Sequence, residues 1–346
     1  MTAIAVDLFS DTVTRPTPAM RRAMADAEVG DEQNREDPTV NRLQDMVAEL
    51  LGKEAALFLP SGTMCNQVAF AVHCRPGDEI LLHETAHPLL YESGGPTALV
   101  GAIMRPLPGA RGMFTADQVR QAVRPGVHYM PPTRALSIEQ TANIVGGVCW
   151  PLEQIEQVCA AGHAAGLVCH MDGARLMNAV VASGTPADRF ARSFETVWLD
   201  LTKGLGAPVG AVLAGSQAFI EQAWVFKQRL GGAMRQAGII AAGGIYALEH
   251  HVARLAEDHE RARRLARGLA ELPGIAVDAD RVDTNIVIFD VRGTGITGEE
   301  FAHRTERFGV RFSVLGPTLV RAVTHLDLPP DGVERALSAA RAALRG

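Results

Sequence analysis

A chain of 346 residues, 47% hydrophobic and 21% charged, has apolar material for one large folded unit and a smaller one. Its formal net charge of −6, with no basic tract, argues against a nucleic-acid or anionic-membrane partner. No apolar run reaches membrane-spanning length, and the first seven residues lack the basic and apolar regions of a signal peptide. Five cysteines, odd in number and without a C-x-x-C pair, read as reduced core thiols of a cytoplasmic protein.

In chain order, residues 1–17 read as an extended polar arm. A helix is predicted over 18–27, with Pro18 in the first turn, where its missing N–H is harmless. A charged loop over 30–38 leads to a second helix, capped by Thr39, apolar at Val40, Leu43, Met46, Val47 and Leu50, and closed by Gly52. The apolar run from Ala55 breaks at Ser61-Gly-Thr63 and opens an apolar helix to about His73. Extended segments over 79–83, 98–105, 134–141 and 166–172 then alternate with helices over 115–123, capped by Thr115, and 151–165. An apolar run over 194–201 reads as a buried strand that stops at Thr202-Lys203, and a turn with three glycines and a proline leads to a second run over 211–214. The alternation predicts an α/β fold with a parallel, doubly wound sheet. Residues 238–272 read as a long helix or helix pair. Residues 274–346 read strand, strand, helix, strand, strand, helix, the last five at 284–291, 298–308, 310–315, 319–324 and 330–344, a small α+β unit. The expected division is 1–250 for the arm and large unit and 251–346 for the small one.

Open α/β sheets collect ligand groups at the carboxyl ends of their strands. Three such predicted ends carry chemistry. Ser61-Gly62-Thr63 opens a helix, where N–H groups and the positive helix end favour an anion; read alone, it is a plain helix cap as readily as a phosphate site. Asp172 ends a strand, although Asp-Gly is also a common turn pair. Lys203 lies between two segments that want burial, where desolvation favours a neutral, nucleophilic amine. Anion cradle, acid and amine are together what pyridoxal phosphate requires: the phosphate is held, the pyridine nitrogen stays protonated, and the aldehyde finds an amine. His87, on the loop His83-Glu-Thr-Ala-His-Pro88, offers a ring that could stack on the pyridine.

These residues stand in a longer pattern. Ser10-Asp-Thr-Val-Thr-Arg-Pro16, Asp37-Pro-Thr-Val-Asn41, Leu59-Pro-Ser-Gly-Thr63, Glu84-Thr-Ala-His87, Asp172-Gly-Ala-Arg175, Lys203-Gly-Leu-Gly-Ala-Pro-Val-Gly210, Met234-Arg-Gln236, Tyr246-Ala-Leu-Glu249 and Val323-Thr-His-Leu-Asp327 occur in an order and spacing that resemble the low-specificity L-threonine aldolases nearly end to end. The resemblance implies an aspartate-aminotransferase-like, fold type I large domain with a mainly parallel sheet and a small C-terminal α+β domain. It implies retro-aldol cleavage of an L-β-hydroxy-α-amino acid, of the threonine or allo-threonine type, to glycine and an aldehyde. The cofactor would be pyridoxal 5'-phosphate, held as an aldimine on Lys203. Asp172 would face the pyridine nitrogen, and Ser61, Gly62 and Thr63 the phosphate. Arg235 would reach a phosphate from a neighbouring subunit. His87 would stack on the ring and, with His128, serve catalysis. Ser10, Arg175 and Arg321 would bind the substrate carboxylate, with Arg175 close to the cofactor as well; a planar guanidinium suits that pairing. A homotetramer of two tight dimers, with active sites at the dimer interface, and no metal complete the expectation.

Some positions depart from the family. Phe9 stands where an arginine is usual, and Gln33-Asn34-Arg35 replaces a Val-Tyr-Gly segment whose tyrosine lines the site. Glu139-Gln140-Thr-Ala142 replaces Glu-Asn-Thr-His. The altered rim keeps open a specialised β-hydroxy amino acid, or β-elimination or racemase chemistry on the same cofactor. Gly204-x-Gly206 does not fit a dinucleotide site, because a strand rather than a helix is predicted after it. His250, His251 and His259 are expected on helix surfaces, since adjacent helical residues point about 100° apart.

Overall fold

In the computed structural model, which describes residues 3–345, strands follow in chain order as β1 (Val6–Asp7), β2 (Ala55–Leu59), β3 (Glu79–His83), β4 (Ile103–Leu107), β5 (Thr133–Glu139), β6 (Val168–Gly173), β7 (Thr196–Asp200), β8 (Ala211–Gly215), β9 (Ile286–Asp290), β10 (Val310–Arg311), β11 (Ser313–Val314) and β12 (Leu319–Val323). Seven of them form one sheet in the order β2-β8-β7-β6-β5-β3-β4. Neighbours from β4 across to β7 are parallel, as the alternation predicts. β8 is antiparallel to both β2 and β7. Its reversal follows from the connection: residues 201–210 are too few for the crossover that a parallel return demands.

Helices cover both faces, so the central strands are apolar on both sides; β3, β7 and β8 are buried along their whole length. The main core joins Val40, Leu43 and Val47 of the Pro38–Leu51 helix to Ile138, Met171 and Leu199 of the sheet. A second core lies under the antiparallel sheet β11-β12-β9, and it takes in Val6 and Leu8 of the arm. β1 pairs in parallel with β10, and Val323 N donates to Leu8 O at 2.9 Å. The arm is thereby threaded through the C-terminal unit before it reaches the large sheet. No helix among the described residues is long and apolar enough to cross a membrane.

Local structure departs from expectation at four places. Asp37, not Thr39, caps the second helix, because Pro38 takes the first helical position and moves the start back. The segment 98–105 is not extended throughout: a wide helical turn spans Pro96–Val100, and β4 begins at Ile103. Residues 238–272 form the helix pair Gly238–His250 and Leu255–Ala270, but His251 and His259, expected on the surface, are buried. The strand expected just after 274 is a single bridge of Ala276 to Asp290.

Asp37 also shows why its motif matters. Its buried carboxylate accepts from Thr39 N (3.1 Å) and Val40 N (3.0 Å) in its own helix, and from Gly30 N (3.2 Å) and Gly238 N (2.8 Å) outside it. Asp37→Ala orphans four backbone N–H groups, and loss of about 3 kcal/mol or more is expected, read as a lower denaturant midpoint. An unchanged midpoint would show that water replaces the carboxylate there.

Candidate active site

A cavity of about 580 Å³ opens at the carboxyl ends of β5, β6 and β7, and β11 and β12 of the small sheet close its far side. It is lined by nine of the residues singled out in the sequence: Ser10, Ser61, Gly62, Thr63, His87, Asp172, Arg175, Lys203 and Arg321.

β2 ends beside the start of the Gly62–His73 helix, and Ser61 caps that helix by accepting from Met64 N at 3.2 Å. The opening turn leaves backbone N–H groups without helical partners and points the positive helix end at the cavity. A Cβ on Gly62 would run into the indole of Trp198, so only glycine lets the helix start lie against β7. Lys203 follows β7 with φ 52°, a left-handed conformation that non-glycine residues rarely adopt and that marks functional turns. Its backbone is pinned by Thr14 Oγ1, which donates to Lys203 O at 2.8 Å. Its half-buried ammonium rests on Asp200, whose other oxygen accepts from Thr202 N (2.9 Å) and Thr202 Oγ1 (2.7 Å).

Asp172 is buried at the end of β6. One of its oxygens accepts from Ala174 N (3.1 Å), the other from Asn66 Nδ2 (2.9 Å). Asn66 Nδ2 also donates to Glu92 (2.7 Å), and Asn66 Oδ1 accepts from Trp198 Nε1 (2.8 Å) and faces His170 Nε2 (3.1 Å). Glu92 takes Gln67 Nε2 at 2.6 Å and lies 3.0 Å from His87 Nδ1. His87 N donates to Glu139 at 3.2 Å, and Asn143 N to the other oxygen of Glu139 at 3.3 Å. Three carboxylates thus surround one imidazole. Burial, which alone would lower the His87 pKa, is outweighed by the Glu92 hydrogen bond and by the charges of Asp172, Glu92 and Glu139, so the ring is held above its ordinary value. Burial, with Asp172 as neighbour, pushes Glu139 up to about 7, and burial also raises Asp172 despite His87 and Asn66.

On the opposite wall the two arginines differ. Arg175 is buried in a bidentate pair with Asp11, Nε at 2.8 Å and Nη2 at 2.6 Å; Asn285 Nδ2 donates to the same carboxylate at 3.1 Å. Burial disfavours both charges, but the pairing prevails: Arg175 is raised and Asp11 falls well below the carboxylate range. Arg175 therefore presents only the part of its fork that Asp11 does not take. Arg321 contacts neutral oxygens: Ser313 Oγ (3.1 Å), Asn143 Oδ1 (3.1 Å) and Phe9 O (3.4 Å). Burial and the nearby Arg175 lower its pKa. A guanidinium with neutral partners, at a cavity wall, suits an incoming carboxylate.

Two of the expected residues lie elsewhere. His128 is exposed in the loop after the Ala116–Ala122 helix and does not line the cavity. Arg235 is exposed and pairs with Asp31 at 2.9 Å. Asn66, Glu92, Glu139 and Asp200 were not picked out as site residues. Glu139 and Asp200 sit at strand ends that could have drawn attention, whereas nothing local distinguishes Asn66 or Glu92 within their helical and turn segments.

The donors fit pyridoxal phosphate: a helix start that a Cβ would fill, a buried carboxylate fixed by two N–H donors, and an amine in the same cavity. The chain has three lysines. Lys53 donates to Phe194 O at 2.5 Å, and Lys227 is fully buried 2.8 Å from Glu32, so Lys203 is the one that opens into the cavity.

Residues 7–294 match the beta-eliminating lyase family. Low-specificity L-threonine aldolase 1 of Arabidopsis thaliana is 39% identical over 338 residues, covering 96% of this chain and 94% of that protein. Low specificity L-threonine aldolase of Escherichia coli K12 is 42% identical over 328 residues, covering 93% and 94%. Among solved structures, a threonine aldolase of Leishmania major superposes with a TM-score of 0.84 at 18% identity, covering 98% and 99%. Serine palmitoyltransferase of Sphingomonas wittichii superposes at 0.77 and 16% identity, covering 98% and 87%. At such identities the superpositions establish the fold type I architecture alone.

Glu92→Gln keeps a hydrogen-bond acceptor for His87 and removes the charge. The His87 titration midpoint, followed by histidine proton NMR, is expected to fall in that variant, because burial still opposes protonation. A midpoint equal to the parent's would remove Glu92 as the controlling group.

Proposed function

Because the chain belongs to the beta-eliminating lyase family, and within it resembles the low-specificity L-threonine aldolases, we propose that it is a pyridoxal-phosphate-dependent aldolase cleaving L-β-hydroxy-α-amino acids, of the threonine and allo-threonine type, to glycine and an aldehyde. The observation that carries this reading is the meeting, in one cavity, of Lys203, Asp172, the Gly62 helix start and Arg321. Bound there, the cofactor supplies an aldehyde to the substrate amine and an electron sink for the breaking Cα–Cβ bond.

The chain's own residues do the rest. Lys203 provides the amine that holds the cofactor, and Asp200 is the base-side partner from which its ammonium must part. Asp172, fixed by Asn66 and Ala174 N–H, holds a proton on the ring nitrogen. Ser61, Gly62 and Thr63 take the phosphate. Arg321 anchors the substrate carboxylate, aided by Ser10 and by the part of the Arg175 fork that Asp11 leaves. With the carboxylate fixed, the bond to break is set by orientation. His87 gives its Nδ1 to Glu92, which leaves Nε2 to take the β-hydroxyl proton. Its placement in the cavity supports His87 as the base over His128. Arg235, exposed on its loop, fits a role in the phosphate site of a neighbouring subunit, which would make dimerisation obligatory; the homotetramer of two dimers rests on the resemblance to the aldolases.

Incubation with L-threonine and L-allo-threonine is expected to yield glycine and acetaldehyde; pyruvate with ammonia, and no glycine, would favour β-elimination instead. Lys203→Ala should lose turnover altogether, and retained turnover would move the amine elsewhere. Arg321→Ala should raise KM about tenfold or more, the size of one lost charged hydrogen bond. A KM as low as the parent's would assign the carboxylate to Arg175.

A further inference from the structure

The amino ends of β6 and β7, at the edge of the sheet opposite the cavity, gather a second set of reactive side chains. His163 Nε2, Cys169 Sγ and a Glu195 carboxylate oxygen lie within 4.8 Å of one another. His163 is in the last turn of the Leu152–Ala164 helix, Cys169 is the second residue of β6, and Glu195 immediately precedes β7. Cys169 Sγ lies 3.8 Å from the backbone O of Cys159, which stands four residues before His163 on that helix.

We propose that His163, Cys169 and Glu195 form a site for a thiophilic divalent cation, Zn²⁺ above all, with water in the fourth position. The donor types are those zinc takes: a thiolate, an imidazole and a carboxylate. His163 Nε2 and Glu195 Oε1 are 3.1 Å apart, near the edge of about 3.3 Å for a tetrahedron with zinc bonds of about 2.0–2.1 Å. The scaffold is rigid: Cys169 N donates to Glu195 Oε2 at 2.7 Å, and Glu195 N to Cys169 O at 3.0 Å. That bond to Oε2 leaves lone pairs on the carboxylate for a cation. The Cys169 thiol is buried while His163 and Glu195 stay open to solvent, so the exposed pair forms the mouth through which the ion enters. The negative end of the helix also favours a cation at His163. Lys53, the cation near Glu195, is engaged with Phe194 O. On binding, the Cys169 thiol proton leaves to solvent and the imidazole coordinates through Nε2, with its remaining proton on Nδ1.

Because this edge lies away from the cavity, the ion would brace helix, β6 and β7 without entering the reaction. The test uses cofactor-loaded protein, stripped with a chelator and titrated with Zn²⁺ and separately Co²⁺. One metal per chain by elemental analysis is expected, with visible d–d bands for cobalt at wavelengths beyond the cofactor's absorption, and a raised Tm. In His163→Ala, whose side chain is exposed and whose fold should survive, affinity should fall about tenfold or more and the Tm rise should vanish. Cys169→Ser should behave likewise and also lose the cobalt–thiolate bands. Equal binding by parent and His163→Ala, or no binding by the parent, would overturn the proposal.

Discussion

Asn66 is the clasp on which the site depends. Buried in the helix that starts at Gly62, it makes four hydrogen bonds with one amide: Nδ2 to Asp172 and Glu92, Oδ1 to Trp198 and His170. Those partners come from β6, from β7 and from the turn after His87. The start of the Gly62 helix, the Asp172 carboxylate and the His87 imidazole are thereby one rigid piece. In a buried setting such a network is stiff when every group is satisfied and costly when one is not. It also makes the charges interdependent, since three carboxylates and His87 share one small volume.

The opposite wall is built from distant chain segments. The arm passes through the C-terminal unit, brings Ser10 and Asp11 to the cavity, and fastens Thr14 to the backbone of Lys203. β12 brings Arg321. Asp11 neutralises Arg175 and so divides two apparently equivalent arginines. One becomes part of the frame, and the other, Arg321, has only neutral oxygens as partners. The rim residues Phe9 and Tyr91 add exposed aromatic surface beside this anchor.

Much of this was legible in the sequence because it is local. Strand ends, the Ser61 cap, the Gly-rich return after Lys203 and the closing Gly52 each follow from neighbouring residues. The Ser10–Pro16 and Val323–Asp327 motifs, at opposite ends of the chain, meet in the fold, where Arg15 N donates to Asp327 at 2.9 Å. What stayed hidden is non-local. Asn66 and Asp172 are 106 residues apart, and Asp11 and Arg175 are 164 apart, with no periodicity linking either pair. The same holds for His163, Cys169 and Glu195, whose spacing follows no metal-binding pattern. Asp37 rather than Thr39 is the cap because Pro38, one residue earlier than Thr39, determines where the helix can begin.

The architecture alone does not choose the reaction, since serine palmitoyltransferase shares it. The central claim is narrower: one amine among three serves the cofactor. Borohydride reduction of the cofactor-loaded protein, then peptide mass mapping, tests it directly. A pyridoxyl label on the peptide bearing Lys203 is the predicted result; a label on Lys53 or Lys227, or on no lysine, contradicts it.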